Sequence, residues 1–361
     1  MKKKCRFVGI MFLCIIIVCT VLVMIYERAT NNNTKENENF TVVTSFYPMY
    51  IAALNIVDGA DGVTLENLSE PQTGCLHDFQ LTPEDMKLLS TADLFVINGG
   101  GIESFMSDVA KAYPDLTVVE ACKNVELINE SEEDVDTHDH DHEADSDETD
   151  HDHDNEADSD ETDHDHDNEA DSDETDHDHE TDSDESGHDH DHGDENAHAW
   201  MSVARYRVMV STIAESLSKA DPSNAAIYDS NAKKYDAKLA ELEEKEKEIK
   251  QKTAGNDIII FHEAYEYVAD DFGMNVCYLM DLDEERAVSA GEVSDVINAV
   301  RNDGVSVILA EELYGKDLGD TVSRETDVKM VYIDPLNRGN YDKNSYIEGM
   351  EKNFELIEAA F

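Results

Sequence analysis

The 64 residues from Glu132 to Glu195 hold 34 Asp and Glu and not one Lys or Arg. Such a stretch repels itself and has almost nothing apolar to bury, so it is expected to be disordered and to stand outside any core. From His138 it repeats every 13 residues: HDHDHEADSDETD at His138–Asp150, then HDHDNEADSDETD at His151–Asp163 and again at His164–Asp176. A degenerate copy and a final HDHDHG carry it to Gly193. The period is too short and too polar for a solenoid unit, which must bury a face. Of the formal charge of −57 on 361 residues, −34 belongs to this stretch, so the other 297 residues carry −23. That remainder suffices for one large or two medium domains. An acidic balance of this size excludes nucleic acid and anionic membrane surfaces as partners, since both need a cationic face.

The repeat contains twelve histidines flanked by carboxylates: His138, His140, His142, His151, His153, His164, His166, His177, His179, His188, His190 and His192. Imidazole suits zinc, copper and nickel, and close His-x-His pairs chelate. The expected role is weak, multi-site capture of transition metal, fading below about pH 6 as the imidazoles protonate. A plain acidic spacer would need no histidine.

At the other extreme of polarity, Lys2, Lys3, Lys4 and Arg6 precede an uncharged apolar run from Phe7 to Tyr26. This is an export signal, long enough at about 20 residues to span a bilayer. No small-x-small cleavage site follows, and Leu13 and Val18 stand before Cys14 and Cys19 where a lipoprotein signal needs small residues. The reading is an uncleaved anchor, with a cleaved or lipidated signal as the alternative. Basic residues on its N-terminal side place the remainder outside, on the outer face of the cytoplasmic membrane. There a disulfide between Cys75 and Cys122 is possible, and Cys277, in an apolar strand-like run, reads as a buried thiol.

The remaining sequence alternates strand and helix. Phe40–Ser45, Val63–Leu68, Asp93–Asn98 and Leu116–Glu120 are short β-branched runs, with helical stretches at Tyr50–Val57, Pro83–Leu89 and Ile102–Ala112 between them. Asp257–Phe261, Asn275–Leu279, Val305–Leu309 and Lys329–Ile333 repeat the scheme around helices at Glu263–Phe272, Ala290–Arg301 and Lys316–Glu325. The expected fold is α/β: two lobes with mainly parallel four-stranded sheets flanked by helices. Asp221-Pro222-Ser223 reads as a helix start with Asp221 as cap, and no Pro or Gly follows from Asn224 to Lys252. A helix of about 30 residues spans roughly 45 Å and would join the lobes as a stiff connector. The division expected is an anchor and tether over 1–39, an N-terminal lobe over 40–220 carrying a disordered insert at 130–196, a linker helix over 221–252 and a C-terminal lobe over 253–361.

Outside the repeat only three histidines remain, His77, His198 and His262. His77 lies in the loop after the Val63–Leu68 run, His198 at the end of the insert, and His262 directly after Asp257–Phe261. Asp334 directly follows Lys329–Ile333. Ligands of open α/β sheets bind beyond the carboxyl ends of strands, so these four side chains can converge on one crevice. Three imidazoles and a carboxylate suit four-coordinate Zn2+.

The segments VVTSFYPMY, GCLHDFQLTPEDMKLLSTADLFVINGGGIE, NAHAWMS, FHEAYEYVADDFGM and VYIDPL together resemble the cluster A-I metal-binding proteins of ABC importers, in their zinc-uptake branch. The resemblance runs from Phe40 to Phe361, and the acidic His-rich insert ahead of His198 is typical of that branch. It implies one tight Zn2+ between the lobes on His77, His198, His262 and Asp334. It also implies delivery to a membrane permease driven by a cytoplasmic ATPase, with the binder a monomer. A carboxylate stands in the manganese branch where this chain has His262, which favours zinc. Two departures leave the fourth ligand open. Leu76 replaces the family's Pro with Cys75 before it, so Cys75 is a rival donor. Glu311-Glu312-Leu313 replaces its Glu-Pro, so Glu311 or Glu312 rivals Asp334. Two other functions fit parts of the sequence: a surface metal buffer or adhesin, for manganese or another transition metal, and a zinc hydrolase. His262-Glu263 lacks the second His of an HExxH helix, which counts against the hydrolase.

Overall fold

The structure is a computed structural model describing residues 39–70, 77, 79–129, 195–280, 282 and 286–361. The apolar run Phe7–Tyr26, the loop holding Cys75 and the repeat with its twelve histidines lie outside the described residues. Among the described residues no helix is long and apolar enough to cross a membrane.

Four strands, β1 (Phe40–Thr44), β2 (Val63–Asn67), β3 (Leu94–Ile97) and β4 (Thr117–Glu120), form a parallel sheet in the order β2-β1-β3-β4. Parallel neighbours need a crossover, supplied here by α1 (Tyr47–Ile56), α2 (Pro83–Leu89) and α3 (Met106–Ala112). A capping box starts α2: Thr82 Oγ1 accepts from the Asp85 N–H, and the Asp85 carboxylate accepts from the Thr82 N–H. A two-residue antiparallel pair, β5 (Ile128–Asn129) with β6 (Glu195–Asn196), then brings together the chain on either side of residues 130–194. Glu195 and Asn196, expected as the end of the disordered insert, are therefore ordered.

The second sheet is built alike from β7 (Asp257–Ile260), β8 (Asn275–Leu279), β9 (Val307–Ala310) and β10 (Lys329–Tyr332), all parallel in the order β10-β9-β7-β8. Its helices are α6 (Tyr265–Phe272), α7 (Ala290–Asp303), α8 (Glu312–Glu325) and α9 (Ser345–Glu358). The fold is thus two α/β lobes, each on a parallel four-stranded sheet. Between the sheets run α4 (Val203–Ala220) and the 29-residue α5 (Ala225–Thr253).

Helix α5 buries Tyr228, Tyr235, Leu239, Leu242, Glu246, Ile249 and Thr253. After a first interval of seven they recur every three or four residues, the spacing that puts side chains on one face. Ile249 belongs to this stripe, while Ile227 beside Tyr228 is only half-buried. The stripe packs on α4, α1, α6 and α9, so one core continues from the first sheet through α4 and α5 to one face of the second. A separate cluster, including Ile259, Phe261, Val296, Ile308 and Val322, fills that sheet's other face under α7 and α8.

Three local expectations are corrected. Asp221 is not the cap of α5; Asn224 holds that position. Asp221 instead ends α4 and takes hydrogen bonds from Ser223, Asn224 and the Tyr228 hydroxyl, fixing the turn between the helices. Cys277 is exposed rather than buried, because β8 is an edge strand. Cys122 is a free, buried thiol; its expected partner Cys75 lies outside the described residues.

Candidate metal centre

The three non-repeat histidines stand where strands and turns end. His262 follows β7 by two residues, and His198 leads from β6 into a short 3-10 turn before α4. A run of three left-handed glycines, Gly99, Gly100 and Gly101 (φ +85°, +67° and +87°), turns the chain sharply after β3. The turn returns Glu103 onto the strand end, where its carboxylate accepts from the Asn98 and Gly99 N–H groups and from Ser45 Oγ. Asn98 in turn donates from Nδ2 to the Ala197 carbonyl at 2.9 Å, one residue before His198. A Cβ on Gly100 would come within 3.3 Å of Ala197, so the turn and the His198 segment are fitted to one another.

His198 is completely buried. Its Nδ1 lies 3.0 Å from Asn196 Oδ1 and 3.1 Å from Glu263 Oε1, both acceptors, so Nδ1 carries the ring proton. That leaves a lone pair on Nε2, which faces His77 Nε2 at 3.4 Å. Two nitrogens each about 2.0–2.1 Å from a tetrahedral zinc stand about 3.3–3.4 Å apart. The two imidazoles are therefore already spaced as one edge of a zinc tetrahedron. Burial, then the neighbouring His262 and His77, hold His198 well below the ordinary imidazole range, so it meets a cation uncharged.

His262 is also fully buried, and its ring centroid lies 5.0 Å from that of His198. Burial and, secondarily, His77 push its pKa down to about 3. Its Nδ1 accepts the Ala264 N–H at 3.0 Å, which puts the neutral ring's proton on Nε2. His77 sits at the outer side of the group, its side chain 36% exposed.

Asp334 occupies its expected strand-end place, after β10. Its Oδ1 accepts the Leu336 N–H at 2.8 Å in a tight local turn, while Asn353 accepts its backbone N–H and donates to its carbonyl. Burial raises the pKa of its carboxyl above the ordinary range. Of the rival oxygen donors, Glu311 is buried in an ion pair with Arg338, and Glu312 is exposed at the start of α8 beside Lys316. Among the described residues, the donors within 4.8 Å of one another are those of His77, His198 and Glu263. Glu263 Oε1 lies 3.5 Å from His77 Nε2 as well as 3.1 Å from His198. Sequence reasoning missed Glu263. It was readable only as the residue after a strand-end histidine, and His-Glu was weighed solely as part of a hydrolase motif.

The centre lies where the two lobes meet. Trp200, two residues past His198, donates from Nε1 to the Pro335 carbonyl, and Tyr346 donates to the Trp200 carbonyl. The Tyr265 hydroxyl bonds the Ile333 carbonyl, next to Asp334. Nitrogen-rich, partly hydrogen-bonded and buried, the donor set fits a borderline-soft divalent cation.

Comparison with known proteins gives the same direction. The family model "ZnuA: Zinc-uptake complex component A periplasmic" matches residues 42–360. The zinc-binding protein AdcA of Streptococcus pyogenes is 29% identical over 328 residues, covering 88% of this chain and 55% of AdcA. The chain thus spans about half the length of that relative. The high-affinity zinc uptake system protein ZnuA of Bacillus subtilis is 25% identical over 352 residues, 95% of each chain. Among solved structures, the SBP FpvC of Pseudomonas aeruginosa in complex with Ni2+ has the same fold: TM-score 0.64 at 21% identity, over 90% of this chain and 97% of FpvC. With a family match running through both lobes, the chain belongs to the ZnuA family of zinc-uptake binding components.

Proposed function

We propose that this chain is an extracytoplasmic Zn2+-binding protein that delivers its cation to the permease of an ABC importer, whose ATPase partner supplies the energy. The observation that carries the reading is the pair of Nε2 atoms of His77 and His198, 3.4 Å apart, with one ring buried and held by Asn196. Two Nε2 atoms at this spacing, with His198 Nδ1 already engaged by Asn196, suit the sharing of one cation. His262 and Asp334 complete the proposed set, with His262 exchanging its bond to Ala264 for the metal. Residues 40–220 and 253–361 act as the two lobes, and α5 limits their movement to a small closure. The repeat's histidines, from His138 to His192, collect cation weakly. The run Phe7–Tyr26 keeps the binder near its permease at high effective concentration.

Zinc is favoured over manganese by the three imidazoles, which are softer donors than carboxylates. The Ni2+ held by FpvC makes nickel the competitor to include. The test is chelator-competition titration with zinc, nickel and manganese on the whole chain and on His77→Ala and His198→Ala. The tight zinc site should weaken by at least about 100-fold in both variants, since loss of a direct donor costs more than the 10- to 100-fold typical of outer partners. Undiminished tight binding in both would refute the assignment.

A further inference from the structure

One carboxylate in the centre has no part in the expected set. Glu263 Oε1 reaches both histidines whose Nε2 atoms face one another, at 3.1 and 3.5 Å. The 3.5 Å separation from His77 Nε2 is close to a second edge of the same zinc tetrahedron, about 3.3 Å for oxygen and nitrogen donors. His198 does not depend on Glu263 for its orientation. Asn196 Oδ1 accepts from both the Nδ1–H and the backbone N–H of His198, at 3.0 Å each. Asn196 is itself fixed, donating to the Glu263 carbonyl and to Glu266 Oε2, each at 2.9 Å. His198 therefore keeps its proton acceptor when the Glu263 carboxylate swings toward a cation.

Exposure orders the donors. His198 is closed off at the bottom, whereas the side chains of Glu263 and His77 are 18% and 36% exposed. A cation arriving from solvent meets His77 and Glu263 first. Charge supports the same order, since imidazole ligands bring no charge to a divalent ion entering a buried site, and a carboxylate supplies one unit. Asp334 in this arrangement is engaged with Leu336 and lies outside the group of mutually close donors.

We propose that Glu263 is a metal donor in its own right: His77, His198 and Glu263 form the entry set that takes the cation before His262 and Asp334 engage. The inference rests on the zinc-binding reading above. It adds a residue that admits the cation.

Co2+ bound to the full chain is the probe, because its visible bands report donor type and coordination number directly. Glu263→Gln preserves size and can still accept from His198, but it is a poor ligand. The expected result is a changed Co2+ band pattern together with at least about a 10-fold loss of affinity. His198→Ala, run alongside at one equivalent of Co2+, should lose the bands of the tight site. An unchanged Co2+ spectrum in Glu263→Gln would overturn the inference even if affinity fell, because a residue that merely orients His198 alters strength and leaves the donor set alone. If His198→Ala also kept its bands, the zinc-site reading itself would be lost, so the two failures are distinguishable. Should Glu263→Gln fail to show the thermal transition of the parent, Glu263→Ala gives the same comparison.

Discussion

At the scale of single residues, the centre depends on side chains that touch no metal. Glu103 is buried, and burial lifts its pKa to about 7 against the hydrogen bonds from Asn98, Gly99 and Ser45 that favour its charge. Replacing it with Ala strands those three donors, each costing about 1–3 kcal/mol. Glu103→Ala should therefore lower stability by about 3 kcal/mol or more in denaturant titration. It should also weaken zinc binding, because Asn98, whose side chain holds the Ala197 carbonyl, loses the acceptor of its own backbone N–H. Loss of stability with wholly unchanged affinity would detach this network from the site. The three histidines proposed as ligands were legible once the repeat had been set aside, because a histidine at a strand end is chemically conspicuous. Glu263 was not, since acidic residues are common and only its distances single it out. Asp334 was legible in place but not in orientation: its tight turn with Leu336, which adopts φ 54°, is a backbone property that hydropathy does not carry.

At the scale of elements, the long helix was readable in position and length, yet its environment was not. Its sequence suggests a stiff connector, and the stripe that this connector buries includes a carboxyl, Glu246, only 6% exposed. Burial first, then Asp271 and Glu243, push the Glu246 carboxyl up to about 8. A carboxyl whose folded pKa exceeds its unfolded value binds more protons when folded, so its contribution to stability falls as pH rises from about 4.5 to about 8. Glu246→Gln removes that term. The variant should gain a few kcal/mol relative to the parent at pH 8.5 and little at pH 5, the gap opening across that window. Thermal midpoints measured at both pH values test it, and a gap of equal size at each would contradict the burial argument. The strands were legible to within a residue or two because β-branched runs mark them. The exposure of Cys277 was not, because strand order, and hence which strand lies at an edge, is set by crossovers that no local pattern encodes.

At the scale of the whole molecule, the two-lobed α/β architecture was the most legible feature, since strand–helix alternation leaves few topologies open. The contacts that join the lobes, such as Trp200 to Pro335 and Tyr47 to Asn340, span 135 and 293 residues and have no sequence signature. A cation bound at that junction ties both lobes together, so folding and metal are linked. Zinc should raise the thermal midpoint of the parent but not of His198→Ala. Removing residues 138–192 should cut the number of zinc ions bound and leave one tight equivalent. The same equivalent should perturb the fluorescence of Trp200, the single tryptophan, whose ring centroid lies 4.9 Å from that of His198.

The central claim is that the chain holds one cation where His77 and His198 face one another. Anomalous scattering at the zinc edge, from crystals of the zinc-loaded protein, measures that position directly. The account predicts a strong peak about 2 Å from Nε2 of both His77 and His198. A principal peak away from both nitrogens would contradict it.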